Sequence, residues 1–189
     1  ETCASVGMVF WNQRMNLLTG DSKFIDVLER SLYNGARDGL SLSGDHFFYG
    51  NPLASNGRHF RREWFGTACC PANIARLVAS LGDYVYGVSD AGLWVNLFVA
   101  SNTAVKFGKV DVPVVMESNY PWDGHIAVTV NPKSAATFSM NVRIPGWARG
   151  EVAPGELYSF EDKSTGSFVL TVNGKPATYT LNQGYAQIN

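Results

Sequence analysis

Three thiols are the residues of this chain whose type and spacing could do chemistry. Cys3 lies near the start, Cys69 and Cys70 are adjacent, and the chain has no other cysteine. A disulfide needs alpha carbons about 5.5–6 Å apart, whereas those of consecutive residues lie about 3.8 Å apart. An odd, partly vicinal set of thiols therefore indicates metal binding or thiolate chemistry rather than disulfides.

A four-ligand metal site can be assembled if Glu1 joins the three thiols. Zinc accepts thiolate sulfur and carboxylate oxygen and prefers tetrahedral coordination, so Glu1, Cys3, Cys69 and Cys70 would complete its ligand set. Spacing alone leaves open a second interpretation, three inert buried thiols, because cysteine is among the most buried residue types. A redox dithiol is disfavoured, since the pair reads CC and not CxxC.

Six segments carry a resemblance to a known enzyme family. They are ETCASVG (1–7), FIDVLERSLYNG (24–35), FFYGNPL (47–53), CCPANIARLVASLGDYVY (69–86), LWVNLFV (93–99) and RIPGWA (143–148). In this order they resemble glycoside hydrolase family 127, which contains zinc-dependent beta-L-arabinofuranosidases. The combination of ETCxS with CCPxNxxR is the most specific part of the resemblance.

The resemblance implies a reaction and a role for each of these residues. Zn²⁺ would be held by Glu1, Cys3, Cys69 and Cys70, and Cys69 would attack the anomeric carbon of a beta-L-arabinofuranoside or related pentoside. Zinc deprotonates a coordinating thiol and can stabilise the sulfur when it leaves, which suits a retaining mechanism. Direct activation of water by zinc is the less favoured alternative, because it needs an open coordination position.

The family's acid/base is a glutamate that precedes the ETC motif. We therefore expect the chain to be an internal fragment that holds the metal and the nucleophile and is inactive alone. The competing function is noncatalytic: a carbohydrate-binding or structural module stapled by a closed zinc site, a type of site that is often rich in sulfur.

Three further residues are candidates for contact with an arabinofuranoside-type glycan. Tyr49 resembles a family tyrosine near the nucleophile, and its phenol could bond the sulfur or a sugar hydroxyl. His46 and His59 lie with Trp64 in a glycine-broken loop from about 41 to 67, where they could line a sugar pocket. The structural alternatives are a packed aromatic for Tyr49 and solvated loop side chains for the two histidines.

The hydrophobic pattern predicts a mixed α and β chain with the two classes segregated. Apolar residues recur at helical intervals in three segments before residue 90, with Asp21 able to cap the second helix and Pro71 in the first turn of the third. Cys70 would then lie at a helix N-terminus, which favours a thiolate. After Gly92 short alternating runs predict antiparallel strands, with Asn173-Gly174 as a hairpin turn.

The resemblance supplies the expected architecture. Residues 1–90 would form the C-terminal part of an (α/α)6 catalytic barrel, and residues 91–189 a β-sandwich that is incomplete at its C-terminus. A homodimer through this β domain is left open.

Composition limits the partners. A net charge of −1 with scattered basic residues argues against nucleic acid, and no apolar run of about 18 residues predicts a membrane-spanning helix. Free thiols favour the cytoplasm, although metal-bound cysteines also survive outside it, so export stays open.

Overall fold

The computed structural model describes residues 1–90, 92–162 and 166–189 and combines helices with sheets. The chain divides into two compact units. The first comprises Glu1–Gly82 with Ala153–Tyr158, and the second comprises Asp83–Val152 with Ser159–Asn189. Helical structure gives way to strands at Tyr86. The domain boundary expected between residues 90 and 91 stays a prediction.

The three predicted helices are present in the first part of the chain. They are α1 (Thr2–Thr19), α2 (Lys23–Ser31) and α3 (Cys69–Ala79), and a one-turn helix α4 (Gly82–Val85) follows. The chain continues beyond α2 through a π-helical turn (Leu32–Ala36) and a 3-10 turn (Arg37–Gly39). Among the helices of the described residues, none has both the length and the apolar character needed to cross a bilayer.

Helix α1 packs on α2 and α3 through a stripe that is only partly apolar. Val6 and Val9 are buried, and the stripe ends in polar Asn12 and Asn16, both of which are also buried. Asn16 Nδ2 donates to the carbonyl of Asp21 at 3.0 Å, so the polar end of the stripe is satisfied. Leu17 and Leu18 are exposed, because successive helical residues point about 100° apart and these two turn away from the stripe.

The start of α2 uses Asp21 in the expected way. Its carboxylate accepts a hydrogen bond from the backbone N–H of Lys23 at 2.9 Å, although the residue directly before the helix is Ser22. In the irregular segment that follows the 3-10 turn, residues 47–49 do not form a strand. Phe47 instead makes isolated β-bridges with Leu40 and Arg62.

The second unit contains the sheets. One sheet has the strand order β1 (Tyr86–Ser89), β2 (Gly92–Val95), β6 (Ser139–Arg143), β10 (Tyr185–Ile188) and β9 (Thr180–Asn182). A second sheet contains β3 (Ser101–Phe107), β4 (Val110–Ser118) and β5 (Ile126–Val130), and a two-stranded ribbon pairs β7 (Thr171–Val172) with β8 (Lys175–Pro176). Pairing is antiparallel as predicted, except that β2 and β6 run parallel. Parallel neighbours need a long connection, and the segment that contains β3, β4 and β5 provides it.

Turn chemistry matches the sequence at Asn173-Gly174. Their φ angles are 51° and 75°, and they close the hairpin in which Val172 faces Lys175. Positive φ at both central residues is the type I′ requirement, which Asn-Gly meets with little strain.

The core of this unit takes side chains from both larger sheets. One buried cluster contains Val95 and Met116 and contacts Val142, while another contains Leu93, Val112 and Val114. Strands β2 and β4 therefore turn apolar side chains toward shared cores.

Candidate metal centre

Four potential metal ligands meet in the first unit. The ligand atoms of Glu1, Cys3, Cys69 and Cys70 all lie within 4.8 Å of one another. Cys69 Sγ is 3.9 Å from Cys70 Sγ and 4.0 Å from Glu1 Oε1. The fold thus brings Glu1 and Cys3 next to Cys69 and Cys70, which lie at least 66 positions further along the chain.

The starts of two helices create this cluster. Cys69 and Cys70 are the first two residues of α3, while Glu1 and Cys3 flank the first residue of α1. That residue, Thr2, is fully buried. Its N–H donates to the Tyr49 carbonyl at 2.9 Å and its hydroxyl to the Phe48 carbonyl at 3.1 Å. Thr2 thereby fixes the beginning of α1 to segment 48–49.

The donor set fits a tetrahedral zinc ion. With Zn–S bonds of about 2.3 Å, two sulfurs at tetrahedral angles lie roughly 3.8 Å apart, close to the 3.9 Å between the vicinal sulfurs. The outer limit of 4.8 Å is wider than this, so binding would draw the most distant pair together. Three sulfurs and one carboxylate oxygen also match the elements that zinc prefers.

Tyr49 is the immediate partner of Cys69. The phenol oxygen lies 3.3 Å from Cys69 Sγ, and the ring packs edge-on against Phe65 with centroids 5.7 Å apart. The two atoms are close enough for the phenol to donate a hydrogen bond to the sulfur. Tyr49 therefore lies beside the sulfur and also packs on an aromatic ring, and its contact with a sugar stays a prediction.

The three thiols differ in environment. Cys69 is partly exposed, and the hydrogen bond from Tyr49 lowers its pKa, while the same bond raises the pKa of Tyr49 to about 12. A donor to the thiolate stabilises the charged form of Cys69, which explains both directions. Cys69 is therefore the thiol that combines access with a stabilised anion.

Cys70 behaves in the opposite way. It is buried, and burial raises its pKa to about 12. Its thiol donates to the Tyr49 carbonyl at 3.6 Å. The expectation that the helix N-terminus favours a Cys70 thiolate is wrong for the thiol by itself, because desolvation outweighs the helix terminus. A coordinating cation would have to supply the deprotonation.

The two candidate histidines have other partners. His46 Nδ1 is 2.7 Å from Asp45 Oδ1. His59 stacks on Phe48 with centroids 4.7 Å apart, and its Nε2 donates to the Gly50 carbonyl at 2.7 Å. His59 thus contacts the residues on both sides of Tyr49 and stabilises that segment. A sugar contact by either histidine stays a prediction.

Asn73 is a site residue that our sequence reasoning missed. Its side-chain Nδ2 lies 3.2 Å from Cys3 Sγ. The available signal was its spacing, since Asn73 follows Cys69 by four residues and so lies one turn further along the same face of α3. Thr2 was also missed, because its partners in segment 48–49 are distant in sequence.

Comparison with family models links the site to known enzymes. The model described as beta-L-arabinofuranosidase, GH127 catalytic domain, matches residues 1–83. The model described as beta-L-arabinofuranosidase, GH127 middle domain, matches residues 92–189. All four potential ligands lie in the segment matched by the catalytic-domain model.

Individual relatives agree with these matches. A non-reducing end beta-L-arabinofuranosidase of Bifidobacterium longum subsp. longum is 40% identical over 204 residues, covering 100% of this chain and 28% of that protein. A solved GH127 beta-arabinofuranosidase is 45% identical with a TM-score of 0.95, covering 100% and 30% of the two chains. A solved GH127 beta-L-arabinofuranosidase from Geobacillus stearothermophilus T6 is 40% identical with a TM-score of 0.84. The match covers 100% of this chain and 29% of that one. The chain thus spans less than a third of the length of these relatives.

Proposed function

Because this chain belongs to glycoside hydrolase family 127, we propose that it contributes the metal and nucleophile part of a retaining hydrolase. The substrate is a glycan that ends in a beta-L-arabinofuranoside or a related pentoside, in line with the activities for which its relatives are named. The acid/base is a glutamate before the ETC motif, as the family resemblance implies.

The family architecture is part of the proposal. Residues 1–90 belong to the C-terminal part of an (α/α)6 barrel, and residues 91–189 form a β-sandwich. The apolar clusters that combine side chains from the two larger sheets support the sandwich.

The observation that carries the mechanism is the contrast between the vicinal thiols. Cys69 is accessible and has the Tyr49 phenol 3.3 Å away, whereas Cys70 is buried against a carbonyl. A nucleophile must be deprotonated and reachable by the substrate. Cys69 meets both conditions, so it is the nucleophile, and Cys70 serves as a ligand.

Glu1, Cys3, Cys69 and Cys70 are the residues that would hold zinc. When bound, zinc keeps the coordinating thiols deprotonated and stabilises a sulfur that departs from carbon. Tyr49 donates to Cys69 Sγ and orients the sulfur toward the sugar. His46 and His59 are proposed contacts of the glycan, with His59 acting beside the Tyr49 segment.

The chemistry proceeds in two displacements. Cys69 Sγ forms a bond to the anomeric carbon while the glycosidic C–O bond breaks, and the upstream glutamic acid gives its proton to the leaving oxygen. The glutamate then takes a proton from water, the water oxygen bonds to the anomeric carbon and the C–S bond breaks. Two inversions return the original configuration and the free thiolate.

Covalent trapping tests the nucleophile. The full-length enzyme that contains these residues is incubated with an L-arabinofuranosyl haloacetamide and then analysed by peptide mass spectrometry. One adduct on Cys69 is expected, with loss of turnover in parallel. The matched variant Cys69→Ser should form no adduct, lose turnover and still be folded. Full turnover in Cys69→Ser would contradict the mechanism.

The noncatalytic alternative has one observation in its favour. Four protein ligands can complete a closed tetrahedral set, as in structural zinc sites. Under that alternative zinc is bound, all three thiols resist the sugar electrophile, and turnover survives Cys69→Ser. The same trapping experiment therefore separates the two functions.

A further inference from the structure

The side-chain amide of Asn73 faces a sulfur of the metal cluster. Asn73 Nδ2 lies 3.2 Å from Cys3 Sγ, within hydrogen-bond reach of a sulfur acceptor. A thiolate can only accept, so the NH₂ end of the amide is the end that suits this position. We propose that Asn73 is a positioning residue that holds Cys3 Sγ in place as a thiolate ligand and strengthens metal binding. This inference rests on the metal site of the proposed function.

The helical framework makes Asn73 suited to this role. Asn73 is the fifth residue of α3 and lies one turn after Cys69, while Cys3 belongs to α1. Helix α3 thus supplies two sulfurs directly and reaches the sulfur of α1 through an amide. Asparagine is a weak helix former, so its place inside a helix is better explained by a tertiary contact than by helix propensity.

Each sulfur of the cluster has a different polar neighbour. Cys69 has the Tyr49 phenol at 3.3 Å, Cys70 has the Tyr49 carbonyl at 3.6 Å, and Cys3 has the amide of Asn73 at 3.2 Å. A carbonyl can stabilise only a thiol, whereas phenol and amide donors stabilise thiolates. Cys3 is therefore the sulfur of the cluster that faces an amide donor.

A donor to the sulfur also makes Cys3 less electron-rich. Hydrogen bonds to metal ligands orient them, and loss of such a bond typically lowers metal affinity about 10–100-fold. We expect Asn73→Ala to fall in this range. Asn73→Asp keeps nearly the same shape but faces the thiolate with an acceptor, so its loss of affinity should be larger than that of Asn73→Ala.

The test measures Zn²⁺ affinity by competition with a chromophoric chelator, in the full-length enzyme. Wild type is compared with Asn73→Ala and Asn73→Asp. The matched control is Asn34→Ala, which makes the same change at an exposed position and should leave affinity unchanged. Co²⁺ substitution adds a spectroscopic readout: loss of the N–H···S bond should move the sulfur-to-cobalt charge-transfer band of Asn73→Ala to longer wavelength.

The possible outcomes distinguish failure of this inference from failure of the proposed metal site. Wild type that binds no Zn²⁺ would overturn both. Zinc-binding wild type with both Asn73 variants within about twofold of its affinity would overturn only the role of Asn73. Weaker Zn²⁺ binding with an unmoved cobalt band would also overturn it, since that result indicates a packing role alone. If Asn73→Asp fails to fold, the Zn²⁺ affinity and the cobalt band of Asn73→Ala decide the test.

Discussion

Gly39 provides the sharpest test of how the cluster is held together. It ends the 3-10 turn, and its carbonyl accepts a hydrogen bond from Phe48 N–H at 2.8 Å. A Cβ at this position would lie 2.7 Å from Thr2 Cγ2 and 3.1 Å from Ile74 Cδ1. The turn is therefore packed tightly against the start of α1 and the middle of α3.

The expected cost of Gly39→Ala follows from these contacts. The 2.7 Å contact is about 0.8 Å shorter than the ~3.5 Å at which carbon atoms pack well. Thr2 and Ile74 are both buried, and Thr2 is β-branched and stiff, so neither can move aside freely. Overpacking of this kind costs about 1–3 kcal/mol, and we expect the free energy of unfolding to fall by that amount.

Urea denaturation of the full-length protein measures this change. Gly7→Ala is the matched control, because nothing lies within 4 Å of a Cβ at that position in α1. Alanine is the better helix former, so the control should be neutral or gain up to about 1 kcal/mol. A Gly39→Ala protein as stable as Gly7→Ala would refute the packing of α1 and α3 on the turn.

A double-mutant cycle identifies the colliding group. Thr2→Ser removes Cγ2, keeps the hydroxyl and alone should cost about 1 kcal/mol for the lost methyl. Because this change also relieves the clash, the double variant with Gly39→Ala should be more stable than the sum of the single costs by about 0.5 kcal/mol or more. Strict additivity would show that the Thr2 methyl is not the obstacle.

Three further predictions concern separate features. Tyr49→Phe removes the donor that lowers the pKa of Cys69, so in chelator-treated protein the pH profile of Cys69 alkylation should move to higher pH; an unchanged profile would contradict the bond. Hydrogen bonds chiefly from Ser43 lower the pKa of Asp45 to about 2, so their stabilising effect is present above about pH 4 and lost as pH falls through about 2. An NMR titration should show that midpoint, and Ser43→Ala should raise it. Gly174 has a φ of 75°, so Gly174→Ala should cost about 1–2 kcal/mol in urea denaturation; no loss would argue against this turn.

Local features of the fold were predictable from the sequence. Periodicity identified the three main helices, and Asn173-Gly174 identified a hairpin because few residue pairs accept positive φ at both positions. The exposure of Leu17 and Leu18 near the C-terminal end of α1 and the parallel β2–β6 pair were missed. Both depend on which distant surface packs against an element, and a local pattern carries no information about that.

The candidate site likewise has features that the sequence predicted and features that depend on tertiary packing. Resemblance grouped Glu1, Cys3, Cys69 and Cys70, and the structure brings their ligand atoms together. The contact between Asn73 and Cys3 joins α3 to α1, and its distance in sequence hid it. The raised pKa of Cys70 was also missed, because burial is set by tertiary packing and the helix start alone suggested the opposite direction.

Zinc content is the measurement that tests the central claim most directly. Elemental analysis is performed on reductively purified full-length protein, with wild type beside Cys3→Ser and the control Ser5→Ala, a neighbouring change outside the ligand set. The account predicts about one zinc per chain in wild type and Ser5→Ala, and clearly less in Cys3→Ser. Folded, reduced wild type without zinc, or undiminished zinc in Cys3→Ser, would contradict it.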